Sequence, residues 1–204
     1  MNSLECFRLI LASKSPRRSD LLGRLGIPFE TFSPETDEAC GLPASEAVEV
    51  LSRRKAFTTV SSFPDTFILA ADTLVSLNGK ALGKPSGFDD AACMLRSLSG
   101  KTHQVFTGVT VISPAGEAYT ASDRTDVTFC HIPEEEIISY IRTEEPLDKA
   151  GSYALQGHAA VWITRIEGSD TSVIGLPLYL VRQLLIKAGY PITVFQTHNF
   201  LKDD

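Results

Sequence analysis

The sequence predicts an α/β fold, a mixed twisted sheet with flanking helices. In the first half, short apolar segments that read as buried strands alternate with helical segments. In the second half, longer alternating segments separated by turn residues indicate antiparallel strands. The chain has 204 residues and 43% hydrophobic residues, which is enough to bury a substantial core.

The first strand and helix carry an unusual charge pattern. Residues 7–12 read as a strand, and a helix then begins with Ser15 at the N-cap and Pro16 at the first helical position. A self-capped helix has Glu or Gln three residues after the cap, but here that position holds Arg18, preceded by Arg17. Because a helix N-terminus is already electropositive, either an anion binds there or both arginines point into solvent.

The next elements are a strand, an acidic loop and a helix. Residues 27–32 return as a strand, and the loop 33–38 contains Glu35. A helix follows over residues 44–61, with Lys55 on the same side as Val48 and Leu51. This lysine either runs its stem along apolar surface into solvent or faces a cleft.

The third strand leads into the strongest turn signal of the chain. Residues 67–71 form a compact strand that ends at Asp72 and Thr73, and Asn78-Gly79 then predicts a hairpin over residues 74–82. With a two-residue turn, Thr73 faces Lys84, so Asp72 and Lys84 meet at the open end of the hairpin.

The remaining elements follow from local patterns. A helix over residues 86–98 has Ser86 as its cap and Asp89 as its acidic first-turn residue. Further segments are predicted as strands (102–113, 118–129 and 160–166), helices (133–143 and 177–188) and a charged, loop-rich connection (145–157). We expect one domain over residues 1–190 and a tail over 191–204, which reads as a partly disordered end.

Composition excludes several classes of protein. The net charge of −6 argues against a nucleic-acid duplex as the main ligand, although a local basic cluster can still bind a small phosphorylated ligand. No apolar run reaches the roughly 20 residues of a membrane helix, and a secretory signal is absent. The four cysteines are far apart in sequence, which makes zinc and a disulfide framework poor predictions. We expect a cytoplasmic protein.

Cations and carboxylates follow the strand ends at which α/β sheets usually bind ligands. Ser13, Ser15 and the arginines follow the first strand, Glu35 the second and Asp72 the third, and lysines from other segments can converge there. Cations that hold phosphate oxygens, together with carboxylates that bind Mg²⁺ or orient water, are the requirements of phosphoryl chemistry. Ser13 and Ser15 are weaker nucleophile candidates because no histidine lies at a suitable partner position.

Several ordered motifs resemble one known family. They are Ser13-Lys-Ser-Pro-Arg-Arg18, Ala71-Asp-Thr73, Gly83-Lys-Pro85, Leu98-Ser-Gly-Lys-Thr-His103, Glu145-Pro-Leu-Asp-Lys149, Leu155-Gln-Gly157 and Gly175-Leu-Pro177. Over about residues 8–189 the chain resembles the Maf family of nucleoside triphosphate pyrophosphatases. The resemblance implies two lobes around a deep cleft, as in inosine triphosphate pyrophosphatases, and cleavage of the α–β phosphoanhydride with Mg²⁺ or Mn²⁺.

The same resemblance assigns roles to residues. It implies a polar site made of Ser13, Arg17, Arg18, Glu35, Lys55, Asp72 and Lys84. Ser13, Ser15 and Arg18 are expected to bind the phosphates, together with Lys55 and Lys84. Glu35 and Asp72 are expected to bind metal and water, and whether Asp72 is the general base or a metal ligand stays open.

Base preference is the last implication of the resemblance. Arg17, Thr73 and Gln156 match the branch associated with dTTP and UTP, and an amide can both donate to and accept from the O4/N3–H edge of a pyrimidine. The alternatives are a nucleotide-binding regulator of septum formation and cell division without turnover, and a phosphatase that releases orthophosphate. The resemblance also makes a homodimer an expectation.

Overall fold

The computed structural model describes residues 7–192 and contains a seven-stranded sheet with helices on both faces. The strands are β1 (Leu9–Ala12), β2 (Glu30–Phe32), β3 (Phe67–Leu77), β4 (Lys80–Leu82), β5 (Thr102–Ile112), β6 (Ala118–Phe129) and β7 (Ile163–Glu167). The helices are α1 (Pro16–Gly23), α2 (Ala44–Val60), α3 (Phe88–Leu98), α4 (Glu134–Ile141), α5 (Asp170–Ile174) and α6 (Leu178–Lys187). Three 3₁₀ segments cover Glu145–Asp148, Ala150–Ser152 and His158–Trp162.

The sheet is mixed, with strand order β2-β1-β3-β5-β6-β7. Its first three strands are parallel, and β3, β5, β6 and β7 pair in antiparallel fashion. The predicted mixed α/β fold is therefore confirmed. Within residues 7–192, no helix is both long and apolar enough to cross a bilayer.

The two faces of the sheet carry different helices. Helices α1 and α6 cover one face, where Leu21 and Leu184 pack with Leu69 and Val109. Helix α2 covers the other face, where Ala56 packs with Ile68 and the neighbouring strand residues. A third cluster gathers α3, α4 and the far ends of β3, β5 and β6. Successive residues of β3 therefore face α2 and α1 in turn.

One edge of β3 has a gap that becomes important for the site. Strand β1 pairs with residues 67–69 of β3, and β4 pairs with residues 75–77 on the same edge. Residues 70–74 lie between these two pairings, while the other edge of β3 is bonded to β5 throughout. Side chains from both faces can therefore meet at this gap.

Helix α2 approaches the sheet very closely at Gly108. A Cβ at this position would lie 2.3 Å from the carbonyl oxygen of Val48, and Gly108 is the register partner of Asp72. We expect Gly108→Ala to push α2 outward and to lower the free energy of unfolding by about 1–3 kcal/mol, as overpacking does. Denaturant unfolding measures the loss. Gly23→Ala is the control, because no atom lies within 4 Å of the added Cβ and alanine favours a helix.

The structure corrects the predicted end of the third strand. Strand β3 does not end at Asp72 but continues to Leu77, because antiparallel pairing with β5 extends as far as Ser76. The hairpin has the predicted register, with Val75 opposite Leu82. The ladder stops there, since the Gly83 carbonyl instead accepts a hydrogen bond from the Gly151 amide. The predicted Thr73–Lys84 pair therefore does not form.

Two further local predictions were wrong, and one helix was not predicted. Helix α3 has Gly87 rather than Ser86 at its N-cap, and the Asp90 carboxylate accepts from the Ser86 amide and hydroxyl. Residues 158–162 form a 3₁₀ turn, so the strand predicted over 160–166 begins only at Ile163. The short helix α5 was not predicted. The predicted tail, 191–204, lies outside the described residues except for its first two positions.

Candidate active site

The gap in the sheet opens into a cavity of about 1290 Å³. Its walls come from the loop after β1, the acidic loop after β2, helix α2, the middle of β3, Lys84 and residues 148–156. Every site residue that the sequence analysis singled out lines this cavity: Ser13, Ser15, Arg17, Arg18, Glu35, Lys55, Asp72, Thr73, Lys84 and Gln156. The roles assigned to them stay predictions.

On the α2 face, Lys55 joins two carboxylates. Its ammonium donates to Asp72 Oδ1 at 2.5 Å and to Glu38 Oε1 at 2.9 Å. The Lys55 side chain is 13% exposed and that of Asp72 is 10% exposed. Of the two alternatives for Lys55, the cleft-facing ammonium is the one observed. The short contact shows that Lys55 compensates the charge of Asp72.

Glu38, rather than Glu35, is the acidic-loop residue bound to the cations. Besides Lys55, Glu38 lies 3.8 Å from the ammonium of Lys84. The Lys55 hydrogen bond holds the pKa of the Glu38 carboxyl below its usual range against the opposing effect of burial, and Lys84 and Lys14 add to this shift. Glu35 lines the cavity but forms no ion pair within residues 7–192. The predicted role of Glu35 in binding metal and water stays a prediction.

These contacts predict unequal effects for two similar substitutions. We expect Glu38→Gln to lower kcat of nucleotide hydrolysis by about 10²-fold, the scale for groups that act directly on a reaction. Glu35→Gln is the matched control in the same loop and is expected to stay within about threefold of the unmodified chain. Steady-state kinetics with dTTP compares the two. A larger loss for Glu35→Gln would support the predicted role of Glu35 instead.

On the other face, Arg18 is half-buried and has no carboxylate partner among residues 7–192. Its guanidinium donates to the Gly175 carbonyl at 2.8 Å, to Ser13 Oγ at 3.3 Å and to Thr73 Oγ1 at 3.2 Å. No carboxylate of residues 7–192 forms an ion pair with it. Burial lowers the pKa of Arg18, and the charge of Asp72 opposes that shift. Arginine nevertheless stays protonated, so a half-buried positive charge faces the cavity.

The hydrogen bonds behind Arg18 have a defined direction. Thr107 Oγ1 donates to the Ser172 carbonyl at 2.8 Å, so its single proton is used there. In the 2.9 Å hydrogen bond between the two threonine hydroxyls, Thr73 is therefore the donor and Thr107 the acceptor. Thr73 Oγ1 in turn accepts from Arg18. The sheet register places Thr107 opposite Thr73, and α5 carries Ser172, so sequence reasoning assigned a role to neither residue. The observed bonds of Thr73 orient Arg18, and its predicted role in base selection stays a prediction.

Arg17 and Arg18 lie in the first turn of α1, a helix whose N-cap side chain makes no capping bond. Ser15 is at the N-cap of α1 and Pro16 follows it, as predicted, but the Ser15 side chain makes no capping bond. Ser13 Oγ instead accepts from the Ser15 amide at 3.2 Å. Arg17 lies 3.7 Å from Asp148, at the 148–156 wall. The first turn therefore presents free amides and positive charge to the cavity.

The histidines take no part in this site. None of the three within residues 7–192 lines the cavity. His103 is fully buried, its Nε2 lies 2.8 Å from the Tyr153 hydroxyl, and burial lowers its pKa to about 4. A neutral histidine packed in the core cannot activate Ser13 or Ser15, which weakens the serine-nucleophile alternative further.

Asp72 and Glu38 can supply part of the ligand set of a divalent ion. Within the described part of the chain, no group of three or more His, Cys, Asp or Glu side chains is placed to hold a metal alone. Mg²⁺ commonly takes one or two carboxylates and completes its shell with water and substrate phosphates. Asp72 and Glu38, which already share one cation, form such a partial set.

Comparisons with known proteins identify the family of the chain. A family model described as Maf-like protein matches residues 8–188. A dTTP/UTP pyrophosphatase of Pelotomaculum thermopropionicum is 45% identical over 187 residues, covering 90% of this chain and 98% of that relative. A dTTP/UTP pyrophosphatase of Deinococcus radiodurans is 48% identical over 189 residues, covering 89% and 93%.

Solved structures support the fold. A HAM1 protein from Coxiella burnetii has a TM-score of 0.51 at 14% identity and covers 89% of this chain and 99% of its own. The Ham1 protein of Staphylococcus aureus gives the same TM-score at 13% identity, with coverage of 88% and 98%. At such identities the likeness concerns the fold alone. Because the family model spans most of the chain and the curated relatives align along almost their whole length, the chain belongs to the Maf family.

Proposed function

We propose that this chain is a nucleoside triphosphate pyrophosphatase that hydrolyses the α–β phosphoanhydride of dTTP and UTP, giving a nucleoside monophosphate and pyrophosphate. The observation that carries the proposal is the half-buried Arg18, which has no carboxylate partner among residues 7–192, beside the Lys55–Asp72–Glu38 cluster in one cavity. The curated relatives named dTTP/UTP pyrophosphatase support the choice of substrates.

The two faces of the cavity have separate tasks in this proposal. Arg18 and the amides at the start of α1 bind the phosphate chain, because they supply positive charge and free donors. Lys55 and Lys84 neutralise further phosphate oxygens. When the nucleotide binds, its phosphate oxygens replace part of the hydrogen bonding between Lys55 and the two carboxylates. Lys55 then contacts the substrate instead of only neutralising Asp72 and Glu38.

In the proposal, Asp72 acts on the attacking water. Its Oδ1 is held by Lys55, and its Oδ2 receives no hydrogen bond from residues 7–192. In the proposal, Oδ2 accepts a proton from a water molecule as the water oxygen attacks the innermost phosphorus. The P–O bond to the second phosphate breaks, and pyrophosphate leaves with the bond's electron pair.

A divalent ion, Mg²⁺ or Mn²⁺, belongs to this proposal. Asp72 and Glu38 would hold it together with phosphate oxygens of the substrate. When bound, the ion supplies positive charge that stabilises the negative charge developing on the phosphates. Whether Asp72 serves chiefly as the general base or as a metal ligand stays open.

Product analysis tests the proposal. The purified chain is incubated with dTTP, UTP, CTP and ATP in Mg²⁺ and H₂¹⁸O, and the nucleotide and phosphate products are resolved by mass. We expect pyrophosphate, with the label in the nucleoside monophosphate. Orthophosphate would indicate a phosphatase, label in pyrophosphate would indicate attack at the second phosphorus, and tight binding without turnover would favour the regulator of cell division.

Base selection is assigned to Gln156, with Arg17 beside it. Replacing Gln156 by Glu removes the amide donor and leaves only acceptors, which suit a cytosine amino group better than the O4 of thymine or uracil. We therefore expect Gln156→Glu to lower the ratio of kcat/KM for dTTP over dCTP by about tenfold or more. Competition assays measure the ratio, and an unchanged preference would show that Gln156 does not contact the base.

Location and assembly complete the proposal. We propose a cytoplasmic enzyme with one catalytic domain over residues 1–190, without nucleic acid as a ligand, that assembles as a homodimer. Size-exclusion chromatography with light scattering determines the oligomeric state, and a single monomeric peak at micromolar concentration would remove the homodimer.

A further inference from the structure

Outside the cavity wall, the carboxylate of Glu145 gathers several hydrogen bonds. Its Oε1 accepts from the Tyr140 hydroxyl at 2.8 Å and from the His158 amide at 3.2 Å, and its Oε2 lies 2.7 Å from His158 Nδ1. Burial opposes ionisation, but the bonds from His158 and Tyr140 lower the pKa of Glu145 overall. These donors hold the charged Glu145 carboxylate, which is 19% exposed, in one position.

The Glu145 carboxylate lies against the turn that carries Gln156. The Gly157 amide donates to the Ala154 carbonyl at 3.1 Å, which closes a turn with Leu155 and Gln156 at its centre. A Cβ on Gly157 would lie 1.9 Å from Glu145 Oε1. The carboxylate therefore packs directly on the bare backbone of the residue after Gln156.

The same network holds both sides of the turn. The Tyr140 hydroxyl donates to Glu145 and accepts from the Ala154 amide at 3.2 Å, before the turn. Glu145 itself accepts from the His158 amide, after the turn. Leu155 and Gln156 thus project into the cavity between two anchored amides, although neither Glu145 nor Tyr140 lines the cavity.

The 3₁₀ segment that begins at Glu145 also reaches Arg17. Asp148, its last residue, lies 3.7 Å from Arg17 Nη1 and accepts from the Lys149 ammonium at 2.5 Å. The Lys149 ammonium in turn donates to the Glu145 carbonyl at 2.6 Å. The segment Glu145–Asp148 therefore contacts Arg17 through Asp148, and it contacts the residues that follow Gln156 through Glu145.

We propose that Glu145, supported by Tyr140, is a positioning residue for nucleobase selection. It fixes the Leu155–Gln156 turn relative to Arg17, and it does not contribute to phosphate binding. This inference rests on the proposed function, because it presumes that the enzyme selects a pyrimidine base through Gln156.

The test separates base selection from phosphate binding. For Glu145→Ala we expect the ratio of kcat/KM for dTTP over ATP to fall about tenfold, because a loosened turn loses the base contact. The inhibition constant of tripolyphosphate, which has no base, is expected to stay within about twofold. Glu145→Gln keeps an oxygen acceptor for Tyr140 and the His158 amide, so we expect it to recover most of the ratio.

Two further variants make the result decisive. Glu135→Ala, which removes an exposed glutamate on α4 without a hydrogen-bond partner in the described residues, controls for lost surface charge. Tyr140→Phe deletes only the hydroxyl and replaces Glu145→Ala if that variant does not fold. The expected result is a lower ratio for Tyr140→Phe as well.

The outcomes distinguish this inference from the proposed function. If the ratio stays constant, or if the dTTP, ATP and tripolyphosphate values weaken together, Glu145 has a purely structural role and the inference is wrong. If the unmodified chain turns over dTTP and ATP equally, base selection itself fails, and the proposal for Gln156 falls before Glu145 is considered.

Discussion

Asp72→Asn is expected to abolish most turnover while the protein stays folded. Asparagine keeps the shape of the side chain but cannot accept a proton from water at neutral pH, and it holds a cation less strongly than a carboxylate. We expect kcat for dTTP to fall by about 10²–10⁴-fold, the range attributed to a general base. The measurement is pyrophosphate release at saturating dTTP and Mg²⁺.

The fold is expected to survive because Lys55 keeps a second carboxylate. Glu38 lies 2.9 Å from the same ammonium, so the substitution does not leave the buried lysine unpaired. The melting temperature should therefore change little. Asp65→Asn is the matched control, since Asp65 is exposed and has φ 56°, a conformation that asparagine tolerates. If Asp72→Asn retained the kcat of this control, Asp72 would not act in the reaction.

Much of the fold could be predicted because its signals are local. The Asn-Gly turn fixes the register of β3 and β4, and alternating residues reveal the long β5–β6 pair. What local patterns cannot show is where pairing stops. Strand β3 passes through Asp72 because β5 offers a partner, and β4 ends at Leu82 because Gly83 bonds to Gly151, a residue distant in sequence.

The site shows the same division between local and distant information. The motifs brought the correct segments together, and the unusual charges at the start of α1 indicated an anion-binding place. Glu38 could not be distinguished from Glu35, because a loop without periodicity does not tell which of its carboxylates pairs with the lysines. The Arg18–Thr73–Thr107 chain and the Glu145 network depend on contacts between distant segments, which one sequence does not reveal.

Arg18→Lys is expected to weaken substrate binding although the positive charge is kept. The planar guanidinium reaches Gly175, Ser13 and Thr73 at once and still has N–H groups for phosphate oxygens. A lysine side chain is shorter, and its single ammonium group cannot reproduce these bonds together with a phosphate contact. Two lost charge-assisted hydrogen bonds of about 1.5 kcal/mol each correspond to about a hundredfold loss of kcat/KM for dTTP.

The cause of that loss can be located with a ligand that has no base. If Arg18 binds phosphate, tripolyphosphate inhibition weakens in Arg18→Lys in parallel with kcat/KM, whereas the preference for dTTP over dCTP is unchanged. Arg24→Lys, at the exposed C-terminal end of the same helix, should change neither quantity. Unchanged tripolyphosphate inhibition in Arg18→Lys would contradict phosphate binding by Arg18. The half-buried guanidinium would then serve only to join Gly175 to Ser13 and Thr73, and the uncompensated charge in the cavity would need another explanation.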